Sequence, residues 1–364
     1  MKSFSLNLFL SSLLLFSSLL VAAQQDSIDL FIQAQMQKRK IPGLQLAIVK
    51  DGKIVKTGNF GWANLQDSIP VTDKTVFTIN SITKAFTGIA IMQLAEKGKL
   101  TLSSPISKFV GGLPASWNDL TIQQLLSHTS GLPDILDEDQ SGLISPLGEA
   151  ASWKQVVAMP TIFKPGEKFT YNQTNYLLLG RVIDTLAGMP FTEFIRREQL
   201  EKVGMVKTIR SGFGASRDVI PNAAPGYRYS GGNLVNMYFA LPPSLQTAAG
   251  MSSTAKELAD WIIALQNLQL LKKPSSLETL WEPARLTNGE IAGFDSMLNG
   301  YAAGWPVIRR SVHPAAAAVG GGKSAVFVYT QDKLAIIVLT NLAGGSPEVF
   351  IDGIAGFYLA NLKK

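Results

Sequence analysis

The stretch "SAVFVYTQDKLAIIVLTN", Ser324 to Asn341, holds two β-rich runs on either side of Gln331-Asp332. Branched and aromatic residues dominate both runs, and the polar break between them marks a hairpin. Its counterpart lies near the other end of the chain. "GLQLAIVKDGKIVKTGNFGWAN", Gly43 to Asn64, reads as two strands around Asp51-Gly52, a dipeptide that supplies the backbone of a tight turn. Between these pairs the periodicity is mostly helical. Lys84–Lys97, "TIQQLLSH", Thr174–Ala187, Phe191–Lys202 and Thr254–Leu265 fit helix periods, with further helices at Asp26–Arg39 and about Pro347–Leu362. The fold predicted is α/β of the α+β type: one antiparallel sheet built from both chain termini, flanked by helices, with an inserted mostly helical region. The sheet region is expected over 24–78 and 295–364, and the helical region over 79–294.

The first residues predict a signal peptide over 1–23. Lys2 precedes an apolar run from Phe4 to Ala22, and small residues, Val21-Ala22-Ala23, precede the polar Gln24. A basic tip, an apolar segment and a small-residue cleavage site make a secretory leader; the other reading is a membrane anchor. An exported protein, periplasmic or extracellular, is therefore expected, with no stable membrane span after cleavage. The chain has no cysteine, so no disulfide can support it and the core must. Roughly 340 residues remain after cleavage, ample for that.

The formal net charge is +6. The charges are scattered, without a Lys/Arg run or a basic helix interleaved with aromatics, which argues against a nucleic-acid partner. Two histidines, His128 and His313, and no cysteine cannot assemble the usual zinc ligand set. No metal is expected.

Two Ser-x-x-Lys matches occur, Ser81/Lys84 and Ser253/Lys256. The second sits in "MSSTAKELADW", where Thr254 and Glu257 have capping-box spacing, so it reads as a helix start. The first opens the apolar helix of "FTINSITKAFTGIAIMQLAEKGKL", Phe77–Leu100. Three-residue spacing puts Ser81 and Lys84 on one helix face. Unpaired N–H groups at a helix start favour developing negative charge. Burial would lower the lysine pKa and supply a neutral amine, the activating base that a serine nucleophile lacks. The residues alone leave open an N-cap serine and a snorkelling lysine.

Further segments bear on this choice. "IPGLQLAIVKDGKIV", "VFTINSITKAFTGIAIMQLAEKGKLTL", "TIQQLLSHTSGLPD", "GEKFTYNQTNYLLLGRVIDTLAG" and "KLAIIVLTN" resemble, in order and spacing, the serine β-lactamase-related family. That family spans class C β-lactamases, related esterases, D-stereospecific peptidases and low-molecular-mass penicillin-binding proteins. The resemblance covers nearly all of Ile41 to Asn341. It implies a β-lactamase/transpeptidase-like fold, with Ser81 as nucleophile, Lys84 as its partner and Tyr171 sharing the proton transfers. A lysine ammonium beside Tyr171 would favour phenolate, so that the two pass a proton between them.

The chain departs from the family pattern twice. The second motif, usually Tyr-x-Asn, reads "YNQ" with Gln173, which keeps the amide and is expected to orient substrate. Asn172 reads as a turn residue. The third motif, Lys-Thr-Gly or His-x-Gly in the family, falls in "SVHPAAAAVGGGKSAVF". Counting back without gaps from "VLTN" places alanine, near Ala315, at the basic position. His313 lies two residues earlier, on the same strand face, and is expected to reach the site; the other reading is a surface or structural histidine. An oxyanion hole needs two N–H groups. Ser81 supplies one, and Gly321 is expected to supply the other, with Gly320 and Gly322 as neighbours; a bulge is the other use of such glycines. His128 in "SHTSGLPD" is read as scaffold.

These residues imply acyl transfer without a metal or organic cofactor. The expected substrate is an ester or a small D-amino-acid-containing peptide. A penicillin-recognising peptidase or weak β-lactamase is the alternative. A catalytically impaired protein binding cell-wall fragments is an alternative of another class. The sequence leaves oligomeric state open.

Overall fold

A computed structural model describes residues 27–139, 142–214, 217–238 and 241–362. The predicted signal peptide lies outside the described residues. Among these, no helix is long and apolar enough to cross a membrane.

An eight-stranded sheet runs through the molecule. Its strands lie in the order Ile69–Pro70, Lys53–Asn64, Gly43–Lys50, Leu334–Thr340, Ser324–Tyr329, Ala315–Gly320, Pro306–Ile308, Gly300–Tyr301. Neighbours are antiparallel throughout. The seam between the two ends of the chain is the central pairing, Leu44 opposite Thr340 through Lys50 opposite Leu334. The sheet is antiparallel and carries helices on both faces.

Alternation along the strands builds two cores. Ala47, Val49, Ala335, Ile337 and Leu339 face the helical region. Leu44, Leu46, Ile48, Ile336 and Val338 face a layer made by the 27–39 helix and the C-terminal segment. Each fully buried branched side chain contributes about 1.5–3 kcal/mol. Both faces are covered, so these strands read as unbroken apolar runs.

The helical region packs around Thr83–Glu96, which is buried from Thr83 to Leu94. Thr174–Ala187 and Gln246–Ala249 lie against it. Ile122–Leu126 begins with a reciprocal cap between Thr121 and Gln124. Ala255–Gln266 begins at Thr254, whose hydroxyl accepts the Glu257 N–H. The Glu257 carboxylate does not return that bond. It accepts the Lys207 and Thr208 N–H groups at 2.8 Å each, so it caps a different helix, Val206–Ser211.

Two local expectations are corrected. The helix predicted over Pro347–Leu362 is a 3-10 turn, Pro347–Val349, a short helix, Ile351–Ala355, and then turns. Gly353 and Gly356 interrupt this stretch, and glycine weakens a helix interior. The helix predicted over Phe191–Lys202 contains a π turn, Arg196–Leu200. Two small sheets were not foreseen, one joining Gly226–Ser230, Asn233–Met237 and Leu342–Ala343, the other Phe77–Thr78 and Ser252–Ser253.

Candidate active site

Ser81 occupies a 3-10 turn, Asn80–Ile82, that runs directly into the Thr83–Glu96 helix. Asn80 has φ +47°, a left-handed conformation that asparagine tolerates better than most residues. The Ala315–Gly320 strand fixes this turn from the sheet side. Asn80 Nδ2 donates to Gly320 O at 3.4 Å, and Ser324 Oγ donates to Ile79 O at 3.1 Å. A Cβ on Gly320 would stand 2.1 Å from Ile79 O, so only glycine lets strand and turn approach this closely.

Lys84, one helical turn along, is fully buried. Its Nζ lies 2.8 Å from Gln173 Oε1, 3.0 Å from Ala248 O and 3.4 Å from Ser81 Oγ. Burial lowers its pKa to about 7, against a smaller opposing pull from Asp134. A neutral amine has two hydrogens and one lone pair. Gln173 Oε1 and Ala248 O can only accept, so they take both hydrogens. The lone pair is then left for the Ser81 hydroxyl.

Tyr171 completes the group. Its hydroxyl donates to Ser81 Oγ at 2.8 Å, and Lys84 Nζ lies 4.7 Å from its ring centroid. Burial pushes the phenol pKa up, outweighing hydrogen bonds to Ser81 and Gln173. Tyr171 therefore keeps its proton, and Lys84 is the group that gains and loses one near neutral pH. This reverses the expected phenolate–ammonium arrangement, because desolvation penalises both charged forms at once.

Gln173 was expected to orient substrate. It lines the cleft, but its side-chain oxygen is turned onto Lys84. Its backbone N–H donates to Asp134 Oδ1 at 3.0 Å. Asn172 is the turn residue: its Nδ2 donates to Leu132 O at 2.6 Å, and its Oδ1 accepts the Asn175 N–H at 3.0 Å. His128 is fully buried beneath this loop. Its Nδ1 lies 3.2 Å from the Asn172 N–H and 3.1 Å from Asn175 Nδ2. Burial, with Lys84 nearby, holds its pKa well below the usual histidine value, so the ring is neutral and Nδ1 accepts. It positions the Tyr171 loop and makes no hydrogen bond to Ser81.

Ser81, Tyr171, Gln173, Val319, Gly321 and Gly322 line one cleft of about 410 Å³. Gly321, at φ +54°, begins the turn out of the Ala315–Gly320 strand. Ser253, by contrast, is buried and its Oγ lies 2.7 Å from Thr208 Oγ1, while Lys256 pairs with Asp260 at 2.8 Å. The second Ser-x-x-Lys is thus a helix start with two separate partners. A larger groove of about 590 Å³, between Trp281 and Arg310, contains none of these groups.

His313 is a correction. It does not line the Ser81 cleft. Its Nδ1 lies 2.9 Å from Asp332 Oδ1 and its Nε2 2.8 Å from Ala360 O. The Ala315–Gly320 strand pairs Ala315 with Tyr329 and Gly320 with Ser324, and its site end is Gly320. His313 precedes that strand, in a bend with φ +54°, so the shared strand face does not extend to it. Val319, the strand residue that lines the cleft, lies six positions further along, about 20 Å of extended chain. Ala315, the expected position of the basic residue, is likewise buried at the far end. Val319-Gly320-Gly321 has the spacing of the third motif, with valine where the family pattern has a cation.

Both His313 partners, Asp332 Oδ1 and Ala360 O, are acceptors, an arrangement that favours the doubly protonated ring. Its pKa is raised, first by Asp332 and then by the Ala360 carbonyl. A raised pKa gives stability present below the unfolded value and lost as pH rises through the folded one. His313→Ala should therefore lower Tm most at pH 6 and least at pH 8.5, with kcat/KM for a neutral ester unchanged. A loss of Tm independent of pH would refute the charged ring.

The Beta-lactamase family model matches residues 28–360.

The chain belongs to the β-lactamase family.

"Protein flp" of Staphylococcus aureus (strain MRSA252) is 30% identical over 287 residues, 77% of this chain and 55% of that protein. "Penicillin-binding protein 4*" of Bacillus subtilis (strain 168) is 27% identical over 297 residues, 74% of this chain and 64% of that protein. The chain thus spans about half to two thirds of the length of these relatives. The octameric penicillin-binding protein homologue from Pyrococcus abyssi superposes with a TM-score of 0.79 at 26% identity, over 93% of this chain and 78% of that one. Within this β-lactamase fold, sequence reasoning missed Val319, Asp295 and Glu348 as cleft residues. The Gly320-Gly321-Gly322 run was the available signal for Val319. Asp295 and Glu348 carried none, since they enter from loops far apart in sequence.

Proposed function

We propose that this β-lactamase-family chain is a serine hydrolase that forms an acyl-enzyme at Ser81, acting on an ester or a small D-amino-acid-containing peptide. The hydrogen bonding of Lys84 carries this reading. At pH 7 an ordinary lysine is neutral roughly once in 3,000 molecules. With a pKa of about 7, about half of the Lys84 side chains are neutral. Ser81 Oγ attacks the carbonyl carbon as its proton passes to Lys84 Nζ. The oxyanion is received by the N–H groups of Ser81 and Gly321. Tyr171, still protonated, gives its proton to the leaving group and is reprotonated from Lys84. Water then attacks the acyl carbon as its proton passes to Lys84 Nζ, and Lys84 returns that proton to Ser81 Oγ as the acyl C–O bond breaks.

Val319 at the third-motif position favours this reading over a dedicated β-lactamase, because no cation stands there to meet a substrate carboxylate. The second reading, a penicillin-recognising peptidase, is favoured by the names of the relatives. Labelling the protein with a fluorophosphonate beside a fluorescent penicillin separates them. Labelling by the first alone supports the proposal, labelling by both supports the peptidase, and labelling by neither rejects an acyl-enzyme. Export through cleavage near Ala23 is part of the proposal; N-terminal sequencing of secreted protein beginning near Gln24 would support it.

A further inference from the structure

The charged residues lining the Ser81 cleft are Asp295 and Glu348. Among its described lining residues there is no lysine, arginine or histidine. Lys84 lies behind Ser81, engaged with Gln173 and Ala248. Glu348 sits in the Pro347–Val349 turn, held against the glycine turn by Ser346, whose N–H donates to Gly322 O at 2.8 Å. Glu348 Oε2 is buried, with no hydrogen-bond partner among the described residues. Burial is the main force raising the Glu348 pKa; Asp295 adds to it, while Ser346 and Arg39 oppose it. Arg39 is not a cleft residue: it stacks over Phe350 at 5.3 Å and donates to Gln35.

Asp295 uses Oδ1 to accept the Met297 and Leu298 N–H groups at 2.8 and 2.7 Å. Three aromatic rings, Tyr171, Phe294 and Tyr301, also line the cleft. Phe294 lies 5.1 Å from Tyr171 and 5.8 Å from Tyr301, centroid to centroid. Carboxylates and aromatic faces both attract a cation. A carboxylate would meet two like charges.

We propose that this cleft selects substrates bearing a protonated amine, seated between the Glu348 and Asp295 carboxylates and the Phe294–Tyr301 wall, and rejects carboxylate-bearing ones. The proposal rests on the reading of Ser81 as the acyl acceptor. It adds the substrate's charge, for which that reading makes no demand.

Three ligands of matched shape test it: phenethylamine, 2-phenylethanol and 3-phenylpropionate, titrated by ligand-observed NMR into the whole protein at pH 7.5. The amine should bind about tenfold tighter than the alcohol, on the order of one favourable charge pair, and the acid should bind weakest. Glu348→Gln with Asp295→Asn, which keeps the oxygen capping Met297 and Leu298, should bring amine and alcohol to within about twofold. Glu348→Gln alone should give an intermediate ratio, and serves if the double variant fails to fold. Carboxylate binding equal to or tighter than amine binding, or an amine preference that survives in the variants, overturns the proposal. Fluorophosphonate labelling of the unaltered protein is read separately. Labelling without an amine preference sinks the charge selection and leaves the hydrolase. An amine preference without labelling keeps the cation site and removes the hydrolase.

Discussion

Ser81→Ala is expected to abolish fluorophosphonate labelling and to lower kcat/KM for any hydrolysed substrate on the order of 10⁴-fold or more. The turn that carries Ser81 is held by Asn80, Ile79 and Ser324, not by the serine hydroxyl, so Tm should change little. Ser253→Ala supplies the control. Its Oγ is bonded to Thr208 Oγ1 inside the core, and its loss should cost about 1 kcal/mol of stability while labelling persists. Persistent labelling of Ser81→Ala, or its loss in a folded Ser253→Ala protein, would move the nucleophile elsewhere.

Lys84 and Tyr171 should behave as one device. Lys84→Ala removes the proton acceptor and should lower kcat/KM by about 10²- to 10⁴-fold. Tyr171→Phe should cost a comparable factor, because a phenol that keeps its proton is needed when the leaving group departs. The double variant should be little worse than the more damaging single one; fully multiplicative losses would show independent action. The pH profile gives the sign. Lys84 works as a base only when neutral, and its pKa is about 7. The kcat/KM should therefore rise tenfold per pH unit below that value and level off above it. A profile flat from pH 5.5 to 8.5 would contradict the buried amine. Lys84→Ala also strips Gln173 Oε1 and Ala248 O of their donor, so its Tm should fall, by an amount that Tyr171→Phe does not share.

Much of this arrangement was legible in the sequence because it depends on local rules. The two terminal hairpins announced themselves through branched residues around polar turns, and the Ser81–Lys84 spacing follows from helix geometry. Other parts depend on distances that a linear count does not contain. His313 lies in a bend before the strand and at the wrong end of it, since the count located "VLTN" but neither where the neighbouring strand begins nor which end of it meets Ser81. Gln173 lines the cleft as the resemblance implied, but the hydrogen bond from Lys84 to its Oε1 is a contact that the sequence pattern did not contain. The Tyr171 phenolate was expected from charge pairing alone; the depth of burial, visible only in three dimensions, decides the other way. Asp295 and Glu348 had no pattern to reveal them.

The central seam has a kinetic meaning. Leu44 meets Thr340 across 296 positions of chain, so the middle of the sheet cannot close until nearly all of the polypeptide is present. Contacts of such separation slow folding, because the entropy of loop closure is spent before any contact rewards it. During synthesis the Gly43–Asn64 hairpin waits with the Gly43–Lys50 edge, later covered by Leu334–Thr340, still open and apolar. An unpaired edge of that kind invites aggregation. The same delay leaves the large sheet unclosed while the chain is being made, and a polypeptide whose central sheet is still open is easier to thread through a narrow channel than a finished one.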